Sequence, residues 1–185
     1  NITTGHPLAV FSDFFVDTIR GIPMLVIILY VGLPLAGAVK SATSGYLDMA
    51  MMTRGIIAIA IGYSAYMAEI FRAGIEAVPK GQIEAARTLG LREWHIARLI
   101  VIPQAIAIVL PALGNEFIAM LKDTSLVSIL SVRDLTQRMR EFQAQSFLAF
   151  EPFNSAALIY VVLTILAASG IKALDNIVNK SRSHE

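Results

Sequence analysis

The chain has 185 residues, 56% of them hydrophobic and 16% charged, with a net charge of +1 and a mean hydropathy of +0.65. Soluble domains carry roughly 25% charged residues, and the apolar residues here gather into long runs, so a soluble globular domain is disfavoured. The near-neutral charge gives no case for nucleic acid or for an acidic partner, and the lack of cysteine rules out disulfides and thiolate metal sites while leaving the redox compartment open.

The length suits one domain, residues 1–185. Residues 1–7 lack the basic region, apolar run and small-residue cleavage site of a signal peptide. The abrupt start is read as a trimmed N-terminus. Residues 8–20 mix apolar and polar positions around Phe11, Phe14 and Phe15, with Asp13 and Asp17 between them, as expected of a helix at an interface. Arg20-Gly21-Ile22-Pro23 breaks that pattern, since proline disfavours helix at the residue before it.

Residues 21–39 carry no charge and are about long enough to cross a hydrocarbon core of roughly 30 Å. This is the first membrane segment, in which Gly32 and Pro34 imply a kink or an early end. Residues 40–54 hold Ser41, Thr43, Ser44, Gly45 and Asp48 and read as a loop. Residues 55–72 form the second segment, apolar up to Phe71 except for Glu69. Its small residues Gly62, Ser64, Ala65 and Ala68 let another helix approach closely.

A charged island follows, with its loop at residues 79–98. Residues 99–121 form the third segment, interrupted by Pro103, Pro111 and Gly114 and carrying Asn115 and Glu116. Residues 122–150 are mixed. TSLVSILS is apolar enough to stay near the bilayer, whereas RDLTQRMREFQ is amphipathic. Residues 152–172 are the fourth segment, and the tail adds Lys172, Lys180 and Arg182. Lysine and arginine asymmetry puts the island and the tail on the same, cytoplasmic, side. The basic residues between segments three and four, Lys122, Arg133, Arg138 and Arg140, keep the contrast modest.

The island, GQIEAARTLGLREWHIARLIVIPQ at 81–104, is a helix–glycine–helix pattern. Pro79 or Gly81 opens a helix, Glu84 lies in its early turns where the macrodipole favours an anion, and Gly90 stops it in a left-handed conformation. A second helix starts near Leu91 and runs toward the membrane. Ala85 and Ala86 leave a thin face that fits a groove. Physics alone leaves two readings, a docking surface for a soluble partner or an amphipathic loop helix resting on lipid head groups.

Glu84-Ala85-Ala86, Gly90 and Ile102-Pro103 resemble the cytoplasmic loop of the permease subunits of ABC importers, with Val101 where leucine is common. Arg20 to Val26, Tyr66 to Ile75, Val78 to Gln82 and Leu121 to Ser128 are similar to the polar amino-acid uptake branch of that family. The likeness runs from about Arg20 to Leu174, and residues 35–52 carry no motif of use. The resemblance implies an all-α permease fold of the type I importers. It has about four membrane helices visible, the usual first one missing, and a cytoplasmic coupling helix.

It further implies a bacterial cytoplasmic (inner) membrane protein with a cytoplasmic C-terminus. Expected partners are two ATP-binding cassette subunits, a second permease subunit (the same or a related chain), an extracytoplasmic solute-binding protein and an amino-acid substrate. ATP and magnesium would be bound by the partner subunit, and this chain has no phosphate loop and no cofactor of its own. Gly81, Glu84, Ala85, Ala86, Gly90 and Pro103 would carry the ATPase coupling. His6, His95 and His184 are scattered and read as surface residues.

A candidate substrate path comprises Glu69, Asn115, Glu116, Lys122, Asp123, Thr124 and Ser125. Ionisable groups in a membrane segment cost ~2.5–3.5 kcal/mol on insertion scales and usually face a water-filled path. Glu116 would take an ammonium and Asn115 or nearby amides a carboxylate beside a helix broken by Pro111 and Gly114. The alternative is an interhelical hydrogen bond or an intersubunit ion pair. Lys122 and Asp123 read either as a salt bridge with Thr124 capping the next helix or as the mouth of the path. Glu69 and Arg72 are spaced to pair on one helix. A gradient-driven carrier or channel is the competing function. A membrane enzyme lacks support, since no paired carboxylates or nucleophile–base constellation is found.

Overall fold

The computed structural model describes residues 7–182, with side chains described for 9–176. The readings of residues 1–6, and of the side chains of Lys180, Arg182 and His184, lie outside the described residues. Among the described residues every regular element is helical. In chain order these are α1 (Pro7–Gly21), α2 (Met24–Tyr30), a π-turn (Val31–Leu35), α3 (Ala36–Ala42), α4 (Met51–Glu76), α5 (Lys80–Thr88) and α6 (Glu93–Ile96). A second π-turn (Ala97–Val101), α7 (Ile102–Asp123), a 3-10 helix (Thr124–Leu130), α8 (Leu135–Ser146) and α9 (Glu151–Arg182) follow. Among the described residues four stretches are long and apolar enough to cross a membrane: Met24–Ala42, Met51–Glu76, Glu93–Leu130 and Glu151–Asn176.

Both π-turns sit at prolines. Proline has no N–H, and its ring crowds the carbonyl four residues back. A wider turn moves that carbonyl aside without ending the helix. Pro34 lies inside the first π-turn, and Pro103 follows the second by two residues. The early end expected at Gly32 and Pro34 is therefore a local widening, and Pro103 does not terminate the island's second helix. The break expected at Pro111 and Gly114 is absent, because α7 runs as one helix through both.

The loop expected over residues 40–54 is shorter. Lys40 is in the last turn of α3 and Arg54 in the first turn of α4. Asp48 bridges them, accepting from Lys40 Nζ at 2.7 Å and Arg54 Nη2 at 3.1 Å. Arg54 also donates to the carbonyls of Met49 and Gly32, at 2.8 and 3.1 Å. Charged residues that looked like loop in sequence are thus helix ends tied to one carboxylate. That carboxyl is held below its ordinary value first by the Lys40 hydrogen bond.

The chain separates into two compact units, residues 1–66 with 119–165 and residues 67–118 with 166–185. The core of the first joins Ile27, Ile28 and Val31 to Ala58, Val127, Leu130 and Val132. Room for it comes from a buried stripe on α4, where Gly55, Ala58, Gly62 and Ala65 recur at helical spacing. Val127 lies against Gly55, and a Cβ on Gly32 would sit 2.6 Å from Leu130 Cδ1. The TSLVSIL run is consequently a 3-10 helix wedged onto two glycines. Of the four small residues expected to admit a neighbour, Gly62 and Ala65 are buried, while Ser64 and Ala68 are exposed.

In the second unit, Gly74 on α4 lets Val109 of α7 approach, and Gly114 on α7 does the same for Ile171 of α9. Gly114 is therefore a packing glycine and not a hinge. In α9 no residue of the most apolar window is fully buried within the chain, as expected of a helix surface that lipid or another subunit covers.

Candidate functional site

The island folds from local rules. Pro79 precedes α5 with φ −59° and ψ 121°, which presets the entry to a helix whose first N–H groups have no partner. At the other end Gly90 has φ +77°. Its N–H donates to the Arg87 carbonyl at 2.9 Å, and the Leu91 N–H donates to the Ala86 carbonyl at 3.2 Å. Those two bonds are the Schellman closure, which needs a left-handed residue at this position. The second helix starts at Glu93, two residues later than the sequence implies, with Arg92 extended before it.

Gly81, Glu84 and Ala85 are exposed, as are Gly90 and Pro103. Ala86 is 4% exposed, so it packs inside the chain and only Ala85 belongs to an outward small-residue face. A nine-residue helix is marginal by itself, and α5 is held by more than Ala86. Arg87 donates from Nε and Nη2 to the two carboxylate oxygens of Glu93, at 2.7 and 3.1 Å. The Glu93 hydrogen bond, with its charge, raises the Arg87 pKa above its ordinary value. Gln104 Nε2 donates to Gln82 Oε1 at 2.6 Å and to the Ile100 carbonyl at 2.9 Å.

Of the polar residues of the membrane segments, Glu69, Asn115 and Glu116 belong to the second unit and Lys122 to Ser125 to the first. Glu69 pairs with Arg72 at 3.8 Å along α4. Asn115 is exposed on α7, and Glu116 is half-buried one residue on. Lys122 is exposed. Asp123 is tied across the first unit, where Tyr63 Oη donates to its Oδ2 at 2.9 Å. Tyr63 is 5% exposed, and Asp123 is half-buried. Thr124 does not cap a following helix: it opens the 3-10 helix, and its hydroxyl donates back to the Leu121 carbonyl at 2.6 Å. Ser125 is half-buried beside it.

Tyr63 leads on to Tyr66, with ring centroids 6.0 Å apart, and the Arg20 guanidinium lies 5.9 Å from the Tyr66 ring centre. A carboxylate, two phenols and a guanidinium from α1, α4 and α7 thus form one connected polar line. The sequence gives Arg20 and Tyr66 no contact and does not single out Tyr63, because contacts between separate helices leave no periodic trace. Among the described residues no group of three or more His, Asp or Glu side chains could hold a metal ion. An open groove of about 220 Å³ between α4 and α7 in the second unit, with Phe71, Ile75 and Leu110 in its lining, is entirely apolar. It offers a polar solute nothing to bind.

Residues 4–180 match the family described as the binding-protein-dependent transport system inner membrane component. The chain is 36% identical over 182 residues to the probable glutamine ABC transporter permease protein GlnM of Bacillus subtilis, covering 97% of this chain and 80% of that one. It is 32% identical to the arginine ABC transporter permease protein ArtQ of Haemophilus influenzae, over 95% and 77%. Among solved structures, an amino acid ABC transporter crystallised with histidines is similar at a TM-score of 0.84 and 38% identity, covering 95% of this chain and 78% of that one. The MetNI methionine ABC transporter in an inward-facing conformation shares the fold at a TM-score of 0.77 and 17% identity, over 96% and 79%. With four apolar helices, an exposed helix–glycine–helix island between the second and third, and these relatives, the chain belongs to the family of inner-membrane components of binding-protein-dependent transport systems.

Proposed function

We propose that this chain is the permease subunit of an ATP-driven amino-acid importer in a bacterial cytoplasmic membrane, working by alternating access. In this reading a solute-binding protein delivers the substrate from outside. The chain pairs with a second permease subunit, and two ATPase subunits, which bind ATP and magnesium, dock below at residues 79–98. The observation that carries it is α5, a short exposed helix closed by a left-handed glycine and set between two apolar helices. The names of relatives that share a third of its residues supply the amino-acid class.

The division of labour follows from exposure. Glu84 and Ala85 present themselves to the ATPase, Ala86 seats the helix, and Gly90 fixes the turn. Glu69, Asn115, Glu116 and the run from Lys122 to Ser125 are the candidates for substrate contact, and Asp123 among them is held by Tyr63.

The test is uptake into proteoliposomes of a tritiated L-amino-acid mixture, with and without the ATPase subunit and the binding protein. Uptake is expected only with both and with ATP. Uptake that persists without ATP and without the ATPase identifies a gradient-driven carrier and overturns the proposal. Glu84→Arg is expected to uncouple hydrolysis from uptake in the inserted complex, and unchanged uptake there removes the coupling role of Glu84.

A further inference from the structure

We propose that Arg87, Glu93, Gln82 and Gln104 are positioning residues that fasten α5 to α6 and α7, so that a displacement of α5 reaches the membrane helix without being absorbed at Gly90. The inference rests on α5 being the helix that receives the ATPase.

Gly90 joins α5 to α6 at a residue with no side chain and φ +77°, and a Cβ placed there would meet nothing within 4 Å. Glycine resists conformational change least of all residues. A push on α5 would therefore flex this joint unless something spans it. Arg87 and Glu93, six residues apart, span it with a two-bond fork. Such planar bidentate pairs fix orientation as well as distance. A single-point contact would leave the two helices free to pivot.

The second tie acts at the softest point of the next helix. The π-turn Ala97–Val101 interrupts the run from α6 into α7. Gln104 Nε2 holds the Ile100 carbonyl of that turn and Gln82 Oε1 of α5 together. A movement of Gln82 thus carries the π-turn and the first turn of α7 with it. The two ties cover the two flexible links between α5 and the transmembrane part of α7. Arg87 follows Glu84 by three residues on α5 and feels its charge, so cross-linking at Ala85 is read alongside uptake to show whether a change at 87 disturbs docking.

The test uses the complete complex of permease, ATPase and binding protein in proteoliposomes. It compares wild type, Arg87→Glu, Glu93→Arg, the charge-swapped double variant and Gln104→Leu. Two quantities are read, the tritiated amino acid taken up per ATP hydrolysed and cross-linking of Ala85→Cys to the ATPase subunit in each background. Each single variant is expected to lower uptake per ATP by about two- to fivefold, the range that an exposed ion pair or a net hydrogen bond supports, with cross-linking retained. The swap is expected to restore the ratio to within about twofold of wild type, since the fork forms in either direction. Where Arg87→Glu fails to insert, Arg87→Gln and Glu93→Gln carry the same comparison. Retained cross-linking with wild-type ratios in the single variants, or a swap no better than they are, overturns the clamp alone. Absence of cross-linking in the Ala85→Cys complex of otherwise wild-type sequence overturns the docking reading and the clamp with it.

Discussion

The contact between Gly74 and Val109 makes the sharpest stability prediction. A Cβ on Gly74 would collide with Val109 Cγ2, with Val109 Cβ 3.5 Å away and the Ala105 carbonyl oxygen 3.4 Å away. Val109 is 4% exposed, and a β-branched side chain on a helix has essentially one rotamer. It cannot rotate out of the way. Gly74→Ala must push α4 from α7, which puts it with overpacking substitutions that cost about 1–3 kcal/mol. Val109→Ala removes two methyl groups. Lipid tails are as apolar as the helix interface, so no hydrophobic transfer term applies between helices in a bilayer. The loss is packing only, about 1 kcal/mol.

In the double variant the new methyl at 74 occupies the space vacated at 109. Its stability should return to within about 1 kcal/mol of wild type, a coupling of about 1–3 kcal/mol in a double-mutant cycle. The assay is reversible unfolding of the purified subunit in mixed micelles by titration with dodecyl sulfate, followed by helical circular dichroism. Additivity within about 0.5 kcal/mol would show that the two residues do not touch and would refute the packing argument.

Three further outcomes follow from single residues. Tyr63→Phe removes the donor to Asp123 and should cost about 1–2 kcal/mol in the same assay, with no loss refuting that bond. Gly90→Ala and Gly81→Ala both add a methyl into open space but should differ in sign. Alanine at a positive φ costs about 1–2 kcal/mol, whereas alanine inside α5 gains about 0.5–1 kcal/mol, so equal shifts in thermal midpoint would contradict the turn geometry. Arg133 hydrogen-bonds to both oxygens of Glu141, at 3.1 and 3.0 Å, and lowers its carboxyl from the ordinary 4.5. A carboxylate depressed by folding adds stability that is present above its unfolded pKa and lost as pH falls through the folded one. The midpoint gap between wild type and Glu141→Gln should hold above about pH 5 and close in more acid solution. A gap that widens on acidification reverses the sign and refutes the pairing.

By itself the sequence determined what depends on composition and on the backbone: four apolar segments, a helix before them, and a helical island closed by Gly90. Hydrophobic runs report membrane crossing because lipid cannot solvate charge or an unpaired peptide group. A glycine after a helical run reports a stop because only glycine takes that conformation at no steric cost. Prolines were harder to read. Their clash with the preceding carbonyl is local, but the answer, a π-turn at Pro34 and Pro103 and none at Pro111, depends on what packs around each turn. Only the tertiary structure decided which alanine of the pair at 85 and 86 faces inward, and that Gly74 and Gly114 are points of helix contact. It alone joined Tyr63 to Asp123, Arg87 to Glu93 and Gln82 to Gln104. Those pairs lie 60, 6 and 22 residues apart and each joins two different helices, so no period along a single helix marks them as neighbours.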